Sequence, residues 1–216
     1  DYINSREVEK VEGVHGLDDR FFSEIYGFFH VADKLPLKKY VGTNHYRRYF
    51  EFGDNVPYID WVMRDCDVLL AQPIQFEGTV REQYCKYHNF EDLAITEYII
   101  RNKFPEYAGA MDRLLNGNIM FPYNMFIIDS ERFKEYTTFM KSFFDEFLNA
   151  IGDDIEKRIS NNKKNYIKDF SPNDTVEYQY RFGGYIGERI TNVYMLTKCQ
   201  RIKTIKTVLT EKKYES

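Results

Sequence analysis

The stretch FPYNMFIIDSERFKEYTTFMKSFFDEFLNAI, residues 121–151, carries the strongest secondary-structure signal in the chain. Its first part, Phe121 to Ile128, is short and apolar, which predicts a buried strand. Asp129 and Ser130 are favourable helix caps. The apolar residues that follow recur at helical spacing: Phe133, Tyr136, Met140, Phe143, Phe144, Phe147, Leu148 and Ile151. A strand that leads into a long helix with one apolar face indicates an α/β fold.

Further strands and helices are predicted on both sides of this stretch. Upstream are a helix over residues 18–34, a strand over 39–45, a buried strand over 67–72, and helices over 91–103 and 106–115. Downstream, Gly183-Gly184 opens a helix from about Tyr185 to Thr197, and residues 201–209 alternate like an edge strand. We therefore predict a single α/β domain over residues 1–216, with a largely parallel central sheet flanked by helices. The polar residues 153–180 predict a mobile loop region.

Charge and composition restrict the class of protein. The 216 residues carry 30 basic and 34 acidic side chains, for a formal net charge of −4. This acidic balance argues against a main partner with a nucleic-acid backbone, since such a partner requires a basic face. The three cysteines, Cys66, Cys85 and Cys199, form no CxxC pair, and no apolar run is long enough to cross a bilayer. We expect a cytoplasmic protein with reduced thiols.

Polar and cationic side chains follow the predicted strand that ends at His45. The run His45-Tyr46-Arg47-Arg48-Tyr49-Phe50 comes directly after it. Ligands of open α/β sheets bind beyond the carboxyl ends of the strands. Adjacent arginines offer forked donors and permanent charge, which suit a diphosphate. On spacing alone, a surface arginine pair bonded to carboxylates is an equal alternative.

Four segments stand out by their order along the chain. They are YVGTNHYRRYF at 40–50, REQY at 81–84 followed by His88 and Asp92-Leu93, YNMFI at 123–127, and RFGGYIGER at 181–189. This set resembles the motifs of a domain family of bacterial and viral surface-polysaccharide glycosyltransferases, which build capsule and exopolysaccharide. The resemblance covers roughly Phe21 to Val208. The usual first strand of the family, expected to seat the nucleotide base, is not recognisable before Asp18.

The resemblance implies an enzyme with a single Rossmann-like domain of the GT-A type. Such an enzyme moves a sugar from a nucleotide-sugar donor, such as a UDP-sugar, to a glycan or lipid-linked acceptor. The implied donor-binding residues are His45, Arg47, Arg48, Tyr123 and Asn124. The implied pocket residues are Gln83, Tyr84, His88, Arg181, Gly184 and Arg189. Basic residues between Lys198 and Lys213 suggest a peripheral contact with an anionic membrane, where lipid-linked acceptors reside.

Many GT-A enzymes hold Mn²⁺ or Mg²⁺ with an Asp-x-Asp motif, and this chain contains Asp65-Cys66-Asp67. The pair precedes the apolar run that begins at Val68, which places it at the wrong end of the strand for a ligand. We therefore expect no metal site there. His45 and the two arginines lie where the metal motif is usual, so direct cationic stabilisation of the diphosphate is the alternative. Metal dependence is open at this stage.

Glu188 is the candidate general base. Inverting glycosyl transfer requires a carboxylate that accepts the proton of the acceptor hydroxyl. The sequence places Glu188 in the first turn of a helix after Gly183-Gly184, where the helix N-terminus would favour the ionised form. The alternative is that Glu188 and Arg189 form salt bridges at the helix terminus.

Two other functions are consistent with the same residues. A non-catalytic glycan-binding module would use tyrosines and arginines to bind sugar without cleaving a donor, so donor hydrolysis separates it from an enzyme. A phosphate-binding or nucleic-acid-binding domain could be built on Arg47-Arg48. The acidic balance and the lack of a glycine-rich phosphate loop disfavour this last function.

Overall fold

A computed structural model describes residues 19–45, 47–52, 58–152, 155–161 and 175–209. Its helices are α1 (Asp19–Phe22), α2 (Glu24–Lys34), α3 (Ile59–Met63), α4 (Val80–Tyr87), α5 (Phe90–Lys103), α6 (Ala108–Asn116), α7 (Ser130–Ile151), α8 (Ile155–Asn161), α9 (Val176–Gln179) and α10 (Phe182–Lys198), with a 3-10 turn at Pro105–Tyr107. Its strands are β1 (Tyr40–Gly42), β2 (Arg48–Phe50), β3 (Val68–Ala71), β4 (Ile74–Gln75), β5 (Ile119–Met120), β6 (Phe126–Asp129), β7 (Ile202–Ile205) and β8 (Thr207–Leu209). The α/β class predicted from the sequence is therefore confirmed.

The central sheet has the strand order β1-β6-β3-β7 and is mixed. Strand β3 is parallel to β7, whereas β6 is antiparallel to both β1 and β3. The prediction of a largely parallel sheet is therefore confirmed only in part: β1, β3 and β7 run in one direction, and β6 runs against them. The chain enters β6 from a turn at Tyr123 and Asn124, which leads the strand into the sheet against the direction of its neighbours. An apolar run predicts a buried strand but carries no information on its direction.

The main core lies between one face of the sheet and the helices α2, α5, α6, α7 and α10. The predicted apolar stripe of α7 is confirmed, because six of its eight residues are buried and the last two, Leu148 and Ile151, pack against the core. Asp129 caps α7 by accepting a hydrogen bond from the backbone N–H of Arg132 at 2.9 Å. A smaller cluster of Met63, Cys66, Leu69 and Ile127 lies on the other face.

Several predicted element boundaries change. The helix predicted over residues 18–34 is interrupted at Ser23, which has φ +50°, so α1 and α2 are separate. The strand predicted over residues 201–209 divides at Lys206: β7 joins β3 in the central sheet, and β8 pairs with β2. Helix α4 is missing from the sequence interpretation, although Thr79 and Glu82 form a capping box before it that is visible in the sequence.

Part of the predicted mobile region, residues 153–180, is helical. Helix α8 buries Ile155 and Ile159, one helical turn apart, against the core. Between them Arg158 forms an ion pair with the buried Asp92 at 2.8 Å. These contacts explain why this segment is ordered despite its polar composition. Residues 153–154 and 162–174 of the predicted loop, and residues 1–18, lie outside the described residues.

Helix α10 packs unusually closely against α1 and α2 because it presents glycines to them. A Cβ atom on Gly183 would lie 2.6 Å from the backbone oxygen of Phe21, and one on Gly187 would lie 1.7 Å from Cδ1 of Ile25. The glycines therefore permit helix packing and do not form a flexible loop before the helix. Among the described helices, none combines the length and apolar character needed to cross a membrane.

We expect Gly183→Ala to destabilise the protein by about 1–3 kcal/mol, because the backbone of Phe21 cannot yield as a flexible side chain can. Gly27→Ala is the matched control: no atom lies within 4 Å of its added Cβ in α2, so stability should rise by up to about 1 kcal/mol. Urea unfolding of both variants measures the difference. Equal effects of the two substitutions would contradict the close packing of α10.

Candidate functional site

One edge of the sheet brings together residues that follow β1 and residues that precede β6. Gly42 of β1 pairs with Ile127 of β6, so the chain after β1 lies beside the turn before β6. The guanidinium carbon of Arg48 lies 4.1 Å from the ring centroid of Tyr123, and the ring centroid of His45 lies 5.6 Å from it. Three residues from two of the predicted motifs therefore meet at this edge. Tyr46, within the same motif, lies outside the described residues.

The surroundings of His45 are cationic. Burial, and after it the charges of Arg48, Arg47 and Arg181 in that order, together lower the pKa of His45 from its ordinary 6.5 to about 4. The imidazole is therefore neutral at neutral pH, and its Nδ1 accepts a hydrogen bond from the backbone N–H of Arg47 at 3.3 Å. Arg181, which begins the motif at 181–189, thus affects the same imidazole as the two arginines after β1.

Two of these arginines differ from most others in the protein. Arg81, Arg101, Arg132, Arg158, Arg189 and Arg201 each form an ion pair with a carboxylate. Within the described residues, Arg48 and Arg181 form none. Arg48 stacks on Tyr123, and Nε of Arg181 donates to Oγ of Ser23 at 3.0 Å. In an acidic protein, guanidinium groups without a carboxylate partner can bind an anionic ligand.

The turn at Tyr123 and Asn124 forms the centre of the site. Both residues have positive φ, +71° and +51°. The Asn124 side chain is buried: its Nδ2 donates to Oε1 of Glu24 at 2.9 Å, and its Oδ1 accepts from Oγ1 of Thr191 at 2.8 Å. The backbone oxygen of Asn124 accepts from Oγ1 of Thr43 at 2.7 Å. Asn124 therefore holds the turn in place, and the guanidinium group of Arg48 lies over the ring of Tyr123, another of the implied donor-binding residues.

Glu188 contacts this turn directly. Its Oε1 accepts from the backbone N–H of Tyr123 at 3.0 Å, and its Oε2 accepts from Nη1 of Arg189 at 3.2 Å. About a fifth of its side chain, 21%, is exposed. Burial raises the pKa of Glu188 and the charge of Glu24 raises it further, whereas Arg189, the Tyr123 hydrogen bond and Arg181 oppose the shift.

The predicted placement of Glu188 in the first helical turn is wrong. Helix α10 begins at Phe182, so Glu188 lies nearly two turns inside the helix, beyond the reach of the helix-terminus effect. Burial dominates instead and favours the protonated form. The helix starts earlier than predicted because Gly183 and Gly184, which the sequence pattern places before the helix, lie in its first turn.

The other predicted pocket residues are engaged in contacts within the protein, and among them Arg189 contacts Glu188. Arg189 is 2% exposed; its guanidinium donates to Oε1 of Gln83 and to the backbone oxygen of Tyr185 at 2.9 Å, and lies 5.1 Å from the ring centroid of Tyr84. His88 stacks on Tyr185 with ring centroids 3.9 Å apart. Gly184 packs against Ser23, since a Cβ there would lie 3.0 Å from Oγ.

Ser23 and Glu24 are residues of the site that the sequence interpretation missed. Ser23 contacts Arg181, and Glu24 contacts Asn124. Both were assigned to the interior of one continuous helix, where nothing in the sequence distinguishes them. Only the left-handed backbone of Ser23, which separates α1 from α2, brings them to the turn.

The pair Asp65 and Asp67 has a structural explanation. Strand β3 begins at Val68, so the pair lies at the amino end of the strand, as predicted. Oδ2 of Asp67 accepts from the backbone N–H groups of Gln200 and Arg201 at 3.0 and 2.9 Å, and Oδ1 accepts from Arg201 Nη2 at 2.8 Å. These bonds do not fit a metal ligand. In the described part of the chain, no three His, Cys, Asp or Glu side chains are grouped as a metal site.

Comparison with known proteins identifies one family and one related structure. A family model described as a domain of unknown function, DUF4422, matches residues 18–199. No curated protein matches the chain. The chain is similar in structure to WbbM, described as a bifunctional glycosyltransferase and solved in its apo form, with a TM-score of 0.72 and 18% sequence identity. The match covers 90% of this chain but 37% of WbbM, and at this identity it shows a shared fold.

We expect Asp67→Asn to remove a pH-dependent part of the stability. Hydrogen bonds from Arg201 lower the pKa of Asp67 to about 2, below its ordinary value of 3.8. The unfolded chain therefore takes up this proton first as the pH falls, so the stabilisation is present above about pH 4 and disappears towards about pH 2. Because Arg201 is mostly exposed, we expect a loss on the order of 1 kcal/mol near neutral pH.

Urea unfolding of the wild type and Asp67→Asn between neutral pH and about pH 3 measures this contribution. Asp65→Asn is the matched control, because Asp65 has an exposed partner, Arg64, at 3.7 Å. The control should follow the wild type at every pH. A stability difference for Asp67→Asn that does not shrink on acidification would contradict the lowered pKa.

Proposed function

The chain belongs to the DUF4422 family, and we propose that it is a glycosyltransferase that uses a nucleotide-sugar donor such as a UDP-sugar. The fold shared with WbbM supports this proposal, as does the resemblance of four motifs to surface-polysaccharide transferases. In this proposal the domain is of the GT-A type, with the donor at the edge of the sheet where β1 ends and β6 begins.

One observation carries the proposal. Arg48 lies over the ring of Tyr123 at that edge, and the charge of Arg181 acts on His45 there; neither arginine has a carboxylate partner among the described residues. The carboxylate of Glu188 accepts a hydrogen bond from the backbone N–H of Tyr123 in the same turn. The leaving group of a nucleotide-sugar donor is a diphosphate, whose negative charge grows as the glycosidic bond breaks. Fixed guanidinium groups stabilise that charge, and a nearby carboxylate accepts the proton that the reaction releases.

The proposed roles of the residues follow from this geometry. Arg47, Arg48 and Arg181 bind the diphosphate. The acceptor hydroxyl oxygen forms a bond with the anomeric carbon, the bond from that carbon to the diphosphate oxygen breaks, and its electron pair leaves with the diphosphate. Glu188 takes the hydroxyl proton. Its raised pKa makes the carboxylate a stronger base than an exposed glutamate. No step is assigned to a metal ion, because Asp67 is engaged with Arg201.

We propose a glycan or lipid-linked acceptor in surface-polysaccharide synthesis, reached from the cytoplasmic side of a membrane. The basic segment after α10 supports a peripheral contact with anionic lipid, since Lys203 and Lys206 are exposed. The charge of Lys198 is not available for this lipid contact, because Lys198 forms an ion pair with Glu135 at 2.9 Å. The chain spans 37% of WbbM, so further domains of a longer protein are compatible with this role.

A screen of UDP-sugars by thermal shift, with and without Mn²⁺, tests the proposal, because a ligand that binds the folded state raises its stability. We expect stabilisation by at least one UDP-sugar and slow hydrolysis of that donor. Binding of glycans with no donor binding or hydrolysis would favour the non-catalytic glycan-binding module instead. Comparison of donor binding and hydrolysis with and without Mn²⁺ determines whether the reaction depends on a metal.

The double variant Arg47→Ala/Arg48→Ala should weaken binding of UDP by about 2 kcal/mol or more, because it removes two guanidinium donors from the diphosphate. Isothermal titration calorimetry measures the affinity. The control is Arg64→Ala/Arg113→Ala, which removes the same charge from two exposed arginines elsewhere. If both double variants bind UDP with wild-type affinity, the diphosphate site lies elsewhere.

Glu188→Gln should lower sugar transfer by roughly 100-fold or more while donor affinity stays near the wild-type value. Glutamine keeps an acceptor for the Tyr123 N–H but removes the basicity. Steady-state kinetics and calorimetry on the same preparation separate the two effects. Near-normal transfer would exclude Glu188 as the base, and an unfolded variant would indicate that Glu188 is a structural anchor. NMR of the product determines its anomeric configuration, which must be inverted if a general base assists the transfer.

A further inference from the structure

We propose that Glu24 is a second carboxylate of the site and that it binds hydroxyl groups of the donor sugar. This inference rests on the proposed function, because it assigns the sugar-recognising part of the same site. It adds a residue that none of the recognised motifs contains.

The position of Glu24 is the first argument. Its Oε1 accepts from Nδ2 of the buried Asn124 at 2.9 Å, which fixes the carboxylate beside the turn at Tyr123 and Asn124. Its Oε2 has no hydrogen-bond partner among the described residues, and the side chain is half-buried. A carboxylate oxygen that is held in place but still accessible is an open acceptor for a ligand hydroxyl.

Backbone strain is concentrated at the same place. Within the described part of the chain, the non-glycine residues with positive φ are Ser23, Tyr123 and Asn124. Each makes one contact of the site: Ser23 with Arg181, Tyr123 with Glu188, and Asn124 with Glu24. Such conformations are unfavourable for most residues other than glycine and asparagine, and they cluster at functional sites. The fold therefore holds three strained residues where the anion-binding arginines and the two carboxylates meet.

The two carboxylates repel each other, which is a cost that packing alone does not require. The charge of Glu24 raises the pKa of Glu188, so the two groups interact. Next to Glu188, Arg189 is 2% exposed, and its Nε has no hydrogen-bond partner among the described residues. A polyol ligand offers donors to the carboxylates and acceptors to such an N–H group. A neutral residue in place of Glu24 removes this repulsion. In the absence of a ligand, the free energy of unfolding should then be equal to that of the wild type or higher.

The order of the groups in the site also matches that of a nucleotide sugar, in which the sugar is bonded directly to the diphosphate. With the diphosphate at Arg48 and Arg181, the sugar lies against the turn at Tyr123 and Asn124, between Glu24 and Glu188. Hydrogen bonds from hydroxyl groups to an ionised carboxylate are strong and directional. A site built to accept them discriminates against a sugar that lacks the hydroxyl, because the acceptor is then left without that partner.

Calorimetry with two probes tests the assignment. The affinities of UDP and of the tightest-binding sugar among UDP-glucose, UDP-galactose and UDP-N-acetylglucosamine are measured for the wild type and for Glu24→Gln. Glutamine still accepts from Asn124 but forms weaker bonds with hydroxyl groups. We expect the ratio of the two affinities to shift by roughly 10-fold against the UDP-sugar, with UDP affinity within about twofold of wild type.

Glu131→Gln is the matched control, because Glu131 is an exposed glutamate in the first turn of α7. It should change neither affinity. A deoxy analogue of the chosen UDP-sugar adds a second readout: the wild type should discriminate against the analogue that lacks the contacted hydroxyl, and Glu24→Gln should not. Urea unfolding should place Glu24→Gln at or above the wild-type stability.

The outcomes separate this inference from the proposed function. An unchanged affinity ratio in Glu24→Gln, with UDP-sugar bound normally, overturns the role of Glu24 and leaves the glycosyltransferase proposal intact. A destabilised Glu24→Gln assigns Glu24 to the support of Asn124 and also overturns the inference. Absence of UDP and UDP-sugar binding by the folded wild type overturns the proposed function and this assignment together.

Discussion

The buried side chain of Asn124 is the interaction on which the arrangement of the site depends. It joins Glu24 at the start of α2 to Thr191 inside α10, and its backbone oxygen accepts from Thr43 after β1. Three elements distant in sequence are thus tied to the turn that leads into β6. An unpaired buried amide would cost several times the net contribution of one hydrogen bond, so the positions of all three elements are strongly coupled.

This coupling produces a site with two electrostatic halves. Cationic groups lie on the side of β1 and β2, where Arg48 covers the ring of Tyr123 and adds to the effect of burial in lowering the pKa of His45. Carboxylates lie on the side of α2 and α10, where burial raises the pKa of Glu188. Arg181 acts on both halves, since its charge affects His45 and Glu188 alike. The proposed nucleotide-sugar donor has the same division, because its diphosphate is anionic and its sugar carries hydroxyl groups.

Close packing of helices and the geometry of the site share a cause. Gly183 and Gly187 allow α10 to approach α1 and α2, and this approach brings Arg181 to Ser23 and Glu188 to the turn at Tyr123. Gly183, which the sequence pattern places before the helix, therefore lies inside it and allows it to be buried. The same approach removes water from Glu188, which is why its protonation differs from that expected of a residue at a helix terminus.

The sequence by itself determined the α/β class, the long helix α7 with its Asp129 cap, the buried strand β3, and the amino-end placement of Asp65 and Asp67. These features depend on local periodicity and capping, which neighbouring residues specify. Only the tertiary structure decided the direction of β6, the burial of Glu188, and the membership of Ser23 and Glu24 in the site. Strand direction, dielectric environment and contacts between α2 and the turn before β6 arise from residues more than 50 positions apart, and no local pattern in a single sequence encodes them.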